Sequence, residues 1–276
     1  MEKQRVFTVK IDVFDLEGKP VEKIDLPKVF SESIREDLIL RAVLASQSKR
    51  RQPYGTNILA GKRTAAHYHG GRPGRSSSKR CSMMGREMAR LPRLHGKTVP
   101  HLSYRVRFVP QARKGRLAHP PKIEKVWIQK INKKENQKAV KSAIAATAIK
   151  EFILKRGHKI EDIKSLPIIV EDKIQELKKT KDVIEFLKKL GLKKELERME
   201  EKKIRAGKGK ARGRKYKIKT GPLFVITEDK GIGKAVSNLL GCNVCRVENL
   251  SAEYLAPGAQ SGRLTIFTKS SLEKLK

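Results

Sequence analysis

The sequence predicts an α/β fold: a mainly parallel sheet with helices on both faces, carrying a long inserted basic arm. Three observations predict it. The short apolar runs Leu166–Val170, Pro222–Thr227 and Leu264–Thr268 lack polar alternation and read as strands buried on both faces. Amphipathic helical patterns alternate with them. Between Ser46 and Pro120 apolar periodicity nearly vanishes while cations accumulate. The part that reads as folded, about 180 residues, suits one core. The expected organisation is therefore one α/β domain over 1–48 and 119–276, an extended arm over 49–118, and a second basic segment over 202–219.

The elements follow in order. Arg5–Phe14 alternates as a strand, Gly18-Lys19-Pro20 reads as a turn, and Val21–Leu26 as a second strand. Ser33-Ile34-Arg35-Glu36 fits a capping box ahead of a helix ending near Gln47. Asn132 with Glu135 reads as the cap of one long helix. Val140, Ile144, Ala148 and Phe152 line its face, and Gly157 ends it. A strand at Leu166–Val170 precedes a helix over Thr180–Leu190. Gly191 breaks that helix, and a charged helix runs on to Ile204. Pro222–Thr227, Cys242–Val247 and Leu264–Thr268 read as strands. Gly233–Leu239 and Ser270–Lys276 read as helices.

Charge dominates the functional reading. The chain of 276 residues holds 64 Lys and Arg against 29 Asp and Glu, a formal net charge of +35. Such an excess repels itself unless a polyanion neutralises it. Ser46–Pro120 carries eighteen cations and one acid, Glu87, together with eight glycines, six prolines and five of the six histidines. That composition reads as an arm that orders against phosphates. Arg outnumbers Lys in it 13 to 5, which favours forked phosphate contacts and stacking on bases. Tyr54, His67, Tyr68, His69, His95, His101 and Tyr104 interleave with the cations, a pattern suited to unpaired RNA bases. A second run, Lys202–Lys219, contains no acid. The candidate RNA-binding residues are Lys49, Arg50, Arg51, Tyr54, Lys62, Arg63, Arg72, Arg75, Lys79, Arg80, Arg105, Arg107, Arg113, Lys114 and Arg116, with Arg205, Lys208, Lys210, Arg212, Arg214 and Lys215 in the second run.

Other classes fit poorly. No stretch approaches the roughly 20 apolar residues of a membrane span, and the start lacks the apolar region of a signal peptide. Membrane partners are not expected. Three cysteines, Cys81, Cys242 and Cys245, do not make a disulfide framework, which suits a reducing, cytosolic setting. Gly231-Ile232-Gly233-Lys234 is a fragment of a phosphate loop, but Ala235 stands where Ser or Thr is needed. Cys242-x-x-Cys245 is half a zinc motif on a predicted strand, and reads as packed thiols. The arm's histidines read as dispersed, with no acid to orient them. Trp127 reads as a core ring or an RNA contact. No cofactor, metal or catalytic residue is expected, and nothing points to an enzyme.

Several stretches resemble the ribosomal protein L-four family of the large subunit, in its archaeal and eukaryotic branch. They are Arg51-Gln52-Pro53-Tyr54, Gly85–Arg93, Phe108-Val109-Pro110, Ser142–Ala148, Lys155–Glu161, Leu166–Lys173, Arg205–Lys210 and Leu255–Ala259. They span most of the chain, and the end soon after the last strand is of the archaeal type. The resemblance implies a structural constituent of the large ribosomal subunit, cytoplasmic, that binds large-subunit rRNA and stabilises its fold and assembly. It implies an arm that lines the polypeptide exit tunnel, with its tip at Gly85, Arg86, Arg90, Leu91, Pro92 and Arg93. The implied partners are that rRNA, neighbouring large-subunit ribosomal proteins and the nascent polypeptide. Composition alone fits two other classes: a general nucleic-acid compaction or chromatin-type protein, and a nucleic-acid-modifying enzyme with a basic substrate arm.

Overall fold

The computed structural model describes residues 10–70, 83, 86–96, 98–160, 163 and 165–275. They fall into two compact units, one built from the chain up to Arg50 and from Ile128 onward, the other from Arg51–Trp127. The expected strand from Arg5 is described from Lys10 only.

The first unit is a six-stranded sheet. Its strands are β1 (Lys10–Phe14), β2 (Pro20–Asp25), β3 (Ile168–Val170), β6 (Leu223–Ile226), β7 (Asn243–Arg246) and β8 (Thr265–Thr268); β4 (Lys203–Ile204) and β5 (Tyr216–Lys217) form a separate hairpin. The order is β2-β1-β3-β8-β6-β7, and only the β1–β2 hairpin is antiparallel. Every residue of β3, β6 and β8 is buried, because helices cover both faces of the parallel part.

Alternation sends neighbouring strand residues to opposite faces. Ile168, Val170, Phe224, Ile226 and Ile266 meet α3 (Lys150–Lys155), α4 (Thr180–Lys189), α5 (Lys193–Glu200) and α6 (Ile232–Ser237) through Ile153, Val183, Leu187, Leu196 and Val236. Ile169, Leu223, Val225 and Phe267 face the other way. They meet α1 (Glu36–Lys49), α2 (Lys133–Ala146), α7 (Ala252–Leu255) and α8 (Lys269–Lys274). There Phe30 packs edge-on to Phe267 at 5.6 Å. Among the described residues no helix is long and apolar enough to cross a membrane.

Two sequence expectations need correction. Helix α1 starts at Glu36 with Arg35 as N-cap, and no side chain caps it; the Ser33 box does not form. The Arg35 N–H donates instead to Ser142 Oγ on α2 at 2.6 Å. The long helix from Asn132 is two helices. At its break the Thr147 hydroxyl and N–H both donate to the Ile144 carbonyl, tightening the turn so that the ladder stops. The second helix does end as expected: Gly157 takes φ +90°, and His158 N–H reaches back to Ile153 O.

Buried polar side chains brace the core. Glu195 is fully buried and accepts from His158 Nδ1 at 2.6 Å, from both Nε and Nη2 of Arg198 at 2.8 and 2.6 Å, and from Lys159 N–H at 3.0 Å. His158 Nε2 accepts from Leu264 N–H, which fixes the ring as the Nδ1–H tautomer. Burial pushes the His158 pKa down despite the carboxylate. Burial pushes Glu195 up, but His158 and Arg198 outweigh it and hold the carboxyl below its ordinary value. Arg263, 1% exposed, donates to the carbonyls of Gly221, Tyr254 and Gly241 and to Asn243 Oδ1. It thereby ties together the chain entering β6, β7 and β8.

The second unit has little regular structure but is internally tied. Thr56 N–H donates to Pro121 O, joining the two legs of the insert. Gly61, at φ +72°, lies so close to the other leg that a Cβ would sit 2.5 Å from Gly115 O. Further along, single bridges join His67 to Arg93 and Arg93 to Val106. Glu87, Tyr104, Phe108 and Lys114 hold positive φ, an uncommon conformation for residues with a Cβ.

Candidate nucleic-acid interface

The run Lys202–Lys219 belongs to the first unit and holds a hairpin; the helix expected to reach Ile204 ends at Glu200. β4 (Lys203–Ile204) pairs antiparallel with β5 (Tyr216–Lys217). A 3-10 turn at Lys210–Arg212 and Gly213 at φ +79° close the loop. Arg205 is spent internally: its Nε donates to Arg214 O at 3.0 Å and its Nη2 reaches Tyr216 O. Lys208, Lys210, Arg212, Arg214 and Lys215 are exposed, and Lys215 lies over the Tyr216 ring at 5.5 Å. The result is a short two-stranded finger of cations around an exposed ring.

At the base of the insert, Tyr54 and Trp127 come together at 5.0 Å. The Arg51 guanidinium lies 4.5 Å from the Trp127 ring centre, with Lys125 Nζ at 5.0 Å. Trp127 is half-buried, so it is not a core ring. It is a cation-flanked ring, and its indole N–H is buried without a partner among the described residues. Lys125 lies beyond the expected arm, which stops at 118; its signal in the sequence is the recurrence of Lys122 and Lys125 on either side of a single acid. Lys62 and Arg63 are exposed on the same unit.

Further out, Arg105, Arg107, Arg113 and Lys114 surround a hollow of 540 Å³ with His101 and Leu102. Arg107 donates to Arg113 O at 2.7 Å, holding one rim to the other. No acid lines it. A cavity ringed by four cations suits a phosphate group rather than an apolar ligand. Arg116 is half-buried beside it in sequence, its N–H bonded to Phe108 O.

The expected tip residues differ among themselves. Arg90 is exposed, and Leu91 and Pro92 are half-buried. Arg86 donates to the Tyr104 hydroxyl at 3.0 Å and lies over that ring. Arg93 is a strut: its guanidinium donates to Tyr104 O and Ala89 O at 3.0 Å each, and its N–H to His67 O. Gly85, Arg72, Arg75, Lys79 and Arg80 lie outside the described residues, as does Cys81. Lys49 is exposed at the end of α1, and Arg50 is paired with Glu253.

Other sequence candidates resolve on geometry. Cys242 and Cys245 are buried and free, with burial pushing their thiols up to about 12 and about 11. Such thiols are poor nucleophiles. The N–H groups of Gly231 and Gly233, which an anion would need, both donate to Asp229 Oδ1 at 3.0 Å. The histidines are not all dispersed. His67, His69 and His95 converge, with ring centres 4.2 to 4.4 Å apart. The His95 pKa falls through burial and its two neighbours.

A model of the ribosomal protein L4/L1 family matches residues 24–276. Among curated proteins, the large ribosomal subunit protein uL4 of Methanosphaera stadtmanae is 44% identical over 267 residues, covering 96% of each chain. Those of Archaeoglobus fulgidus and Nanoarchaeum equitans are 45% and 46% identical, covering 97% of this chain and 98% of their own. With the match running through both the sheet and the cationic insert, the chain belongs to the ribosomal protein L4/L1 family.

Proposed function

We propose that the protein is a structural constituent of the large ribosomal subunit, working in the cytoplasm, where it binds large-subunit rRNA and stabilises its fold and assembly. Identity above 40% along nearly the whole length of proteins bearing that name carries the reading. The chemistry of the surface supports it. The sheet unit provides a rigid anchor, while the insert and the 203–217 hairpin offer guanidiniums, ammoniums and exposed rings with almost no acid. Phosphates neutralise the charge, and Tyr54, Trp127 and Tyr216 offer faces to unpaired bases.

In this reading the insert reaches into rRNA, and the segment around Arg86 and Arg90 borders the path of the nascent polypeptide, next to neighbouring large-subunit proteins. Mechanism here is electrostatic and geometric. Internally bonded arginines such as Arg93 and Arg107 shape the backbone, and exposed cations meet phosphate. Lysate sedimentation through a sucrose gradient at low and high salt tests the proposal. The chain should stay with the large subunit at high salt, because a threaded component is retained where a surface-bound polycation washes off. Release at high salt, or sedimentation with DNA as a compaction protein would, overturns it.

A further inference from the structure

The geometry points to a zinc site in the insert, made by His67, His69 and His95. Their nearest ligand nitrogens all lie within 4.8 Å of one another. Tetrahedral zinc with nitrogen ligands at about 2.0–2.1 Å needs nitrogens about 3.3 Å apart, so the trio must contract by no more than about 1.5 Å.

Two further features prepare the rings for a metal. His67 Nδ1 lies 3.0 Å from Ala65 O, so Nδ1–H donates there and Nε2 is left as the unprotonated ring nitrogen. His69 Nε2 and His95 Nε2 are buried and have no hydrogen-bond partner among the described residues. Buried imidazole nitrogens ordinarily find a partner, and a metal ion satisfies both at once.

The backbone holds the ligands in place. Arg93 N–H donates to His67 O, Tyr104 N–H to Leu94 O and Leu94 N–H to Arg105 O. The ion would pin residues 67–69 to 95, and its binding energy would add to the stability of the folded insert. Three imidazoles leave one position for water. They contribute no negative charge, so a dication in this basic unit is held by nitrogen coordination alone. Imidazole donors suit zinc and cobalt better than magnesium or calcium.

The test uses the full chain, without a histidine tag, titrated with Co²⁺ and then Zn²⁺. One equivalent of Co²⁺ should give tetrahedral d–d absorption without a thiolate charge-transfer band, and Zn²⁺ should displace it. His67→Ala and His95→Ala should each weaken binding by more than about tenfold, while His119→Ala, at an exposed position of the same unit, should leave it unchanged. The wild-type spectrum is decisive even if a variant misfolds. Absence of stoichiometric binding overturns the proposal. So does a thiolate band, which would assign the metal to cysteine, or equal binding by the His67 and His95 variants. The outcome is independent of whether the chain sediments with ribosomes.

Discussion

Arg105, Arg113 and Lys114 stand on the rim of the 540 Å³ hollow, all three exposed, whereas Arg107 is held to Arg113 O. The triple replacement R105Q/R113Q/K114Q therefore removes three charges and leaves the internal tie, since that bond uses the backbone of residue 113. If each cation neutralises one phosphate, each contributes about 0.7 to 0.9 to the slope of log affinity against log salt. The slope should become shallower by about 2.1 to 2.7. Between 50 and 200 mM salt, the salt-induced loss of affinity should shrink by about 20- to 40-fold relative to the parent. Binding to a large-subunit rRNA fragment, followed by fluorescence anisotropy over a salt series, measures this. A control triple, K181Q/K188Q/K193Q on the sheet unit, should change the slope by less than one. An unchanged slope in the rim variant, or equal changes in both, refutes the assignment of the hollow to phosphate.

Other expectations concern the scaffold. Removing 51–127 and joining the ends with a short glycine linker should leave a folded sheet unit, because Gln129 N–H already bonds Ser48 Oγ at 3.0 Å across the junction; loss of cooperative urea unfolding by circular dichroism would contradict this. Glu195→Ala should cost about 3–5 kcal/mol in the same assay, since it strands buried Arg198 beside His158; a loss below about 1 kcal/mol would deny the triad its role. Stability should fall on acidification below the ordinary histidine value of 6.5, where the unfolded chain protonates position 158 before the folded one does. It should fall again below the ordinary glutamate value of 4.5, as Glu195, held low when folded, is protonated; melting temperatures flat from pH 7.5 to pH 5 would reject the first, and a flat course from pH 5 to pH 3 the second. Trp127→Leu should weaken RNA binding by about 1–3 kcal/mol with little change in salt slope, because stacking rather than charge is removed; a slope change without an affinity change would reverse that reading.

These predictions divide along a physical line that also separates what the sequence could reveal from what it could not. The parallel strands were legible because burial on both faces forces unbroken apolar runs, as in Leu223–Ile226 and Ile168–Val170. Gly157 and Gly191 were legible because a left-handed C′ position selects glycine. The helix break at Thr147 was not, since its cause is one hydroxyl choosing a carbonyl three residues back while the apolar stripe runs on through Ala148 and Phe152. The 203–217 hairpin was hidden for a related reason: its strands are two residues long and exposed, so charge erased the alternation that marks a strand.

At the interface the same limit takes a different form. Composition locates cations but cannot divide them into those that bind and those that build. Arg93 and Arg107 read identically to Arg90 and Arg113, yet the first two donate to carbonyls and organise the insert, and the latter two point their charge outward. An arginine can satisfy several backbone acceptors at once, so a segment poor in apolar residues can use it in place of a core. Tyr104 is the clearest instance. It holds a positive φ, its carbonyl takes Arg93 and its ring and hydroxyl take Arg86. The convergence of His67, His69 and His95 depends on that same framework, because the bridge from Arg93 to His67 brings the two stretches together. The histidine cluster thus rests on a backbone bridge between two distant stretches, which no spacing rule between residues 67 and 95 could have conveyed.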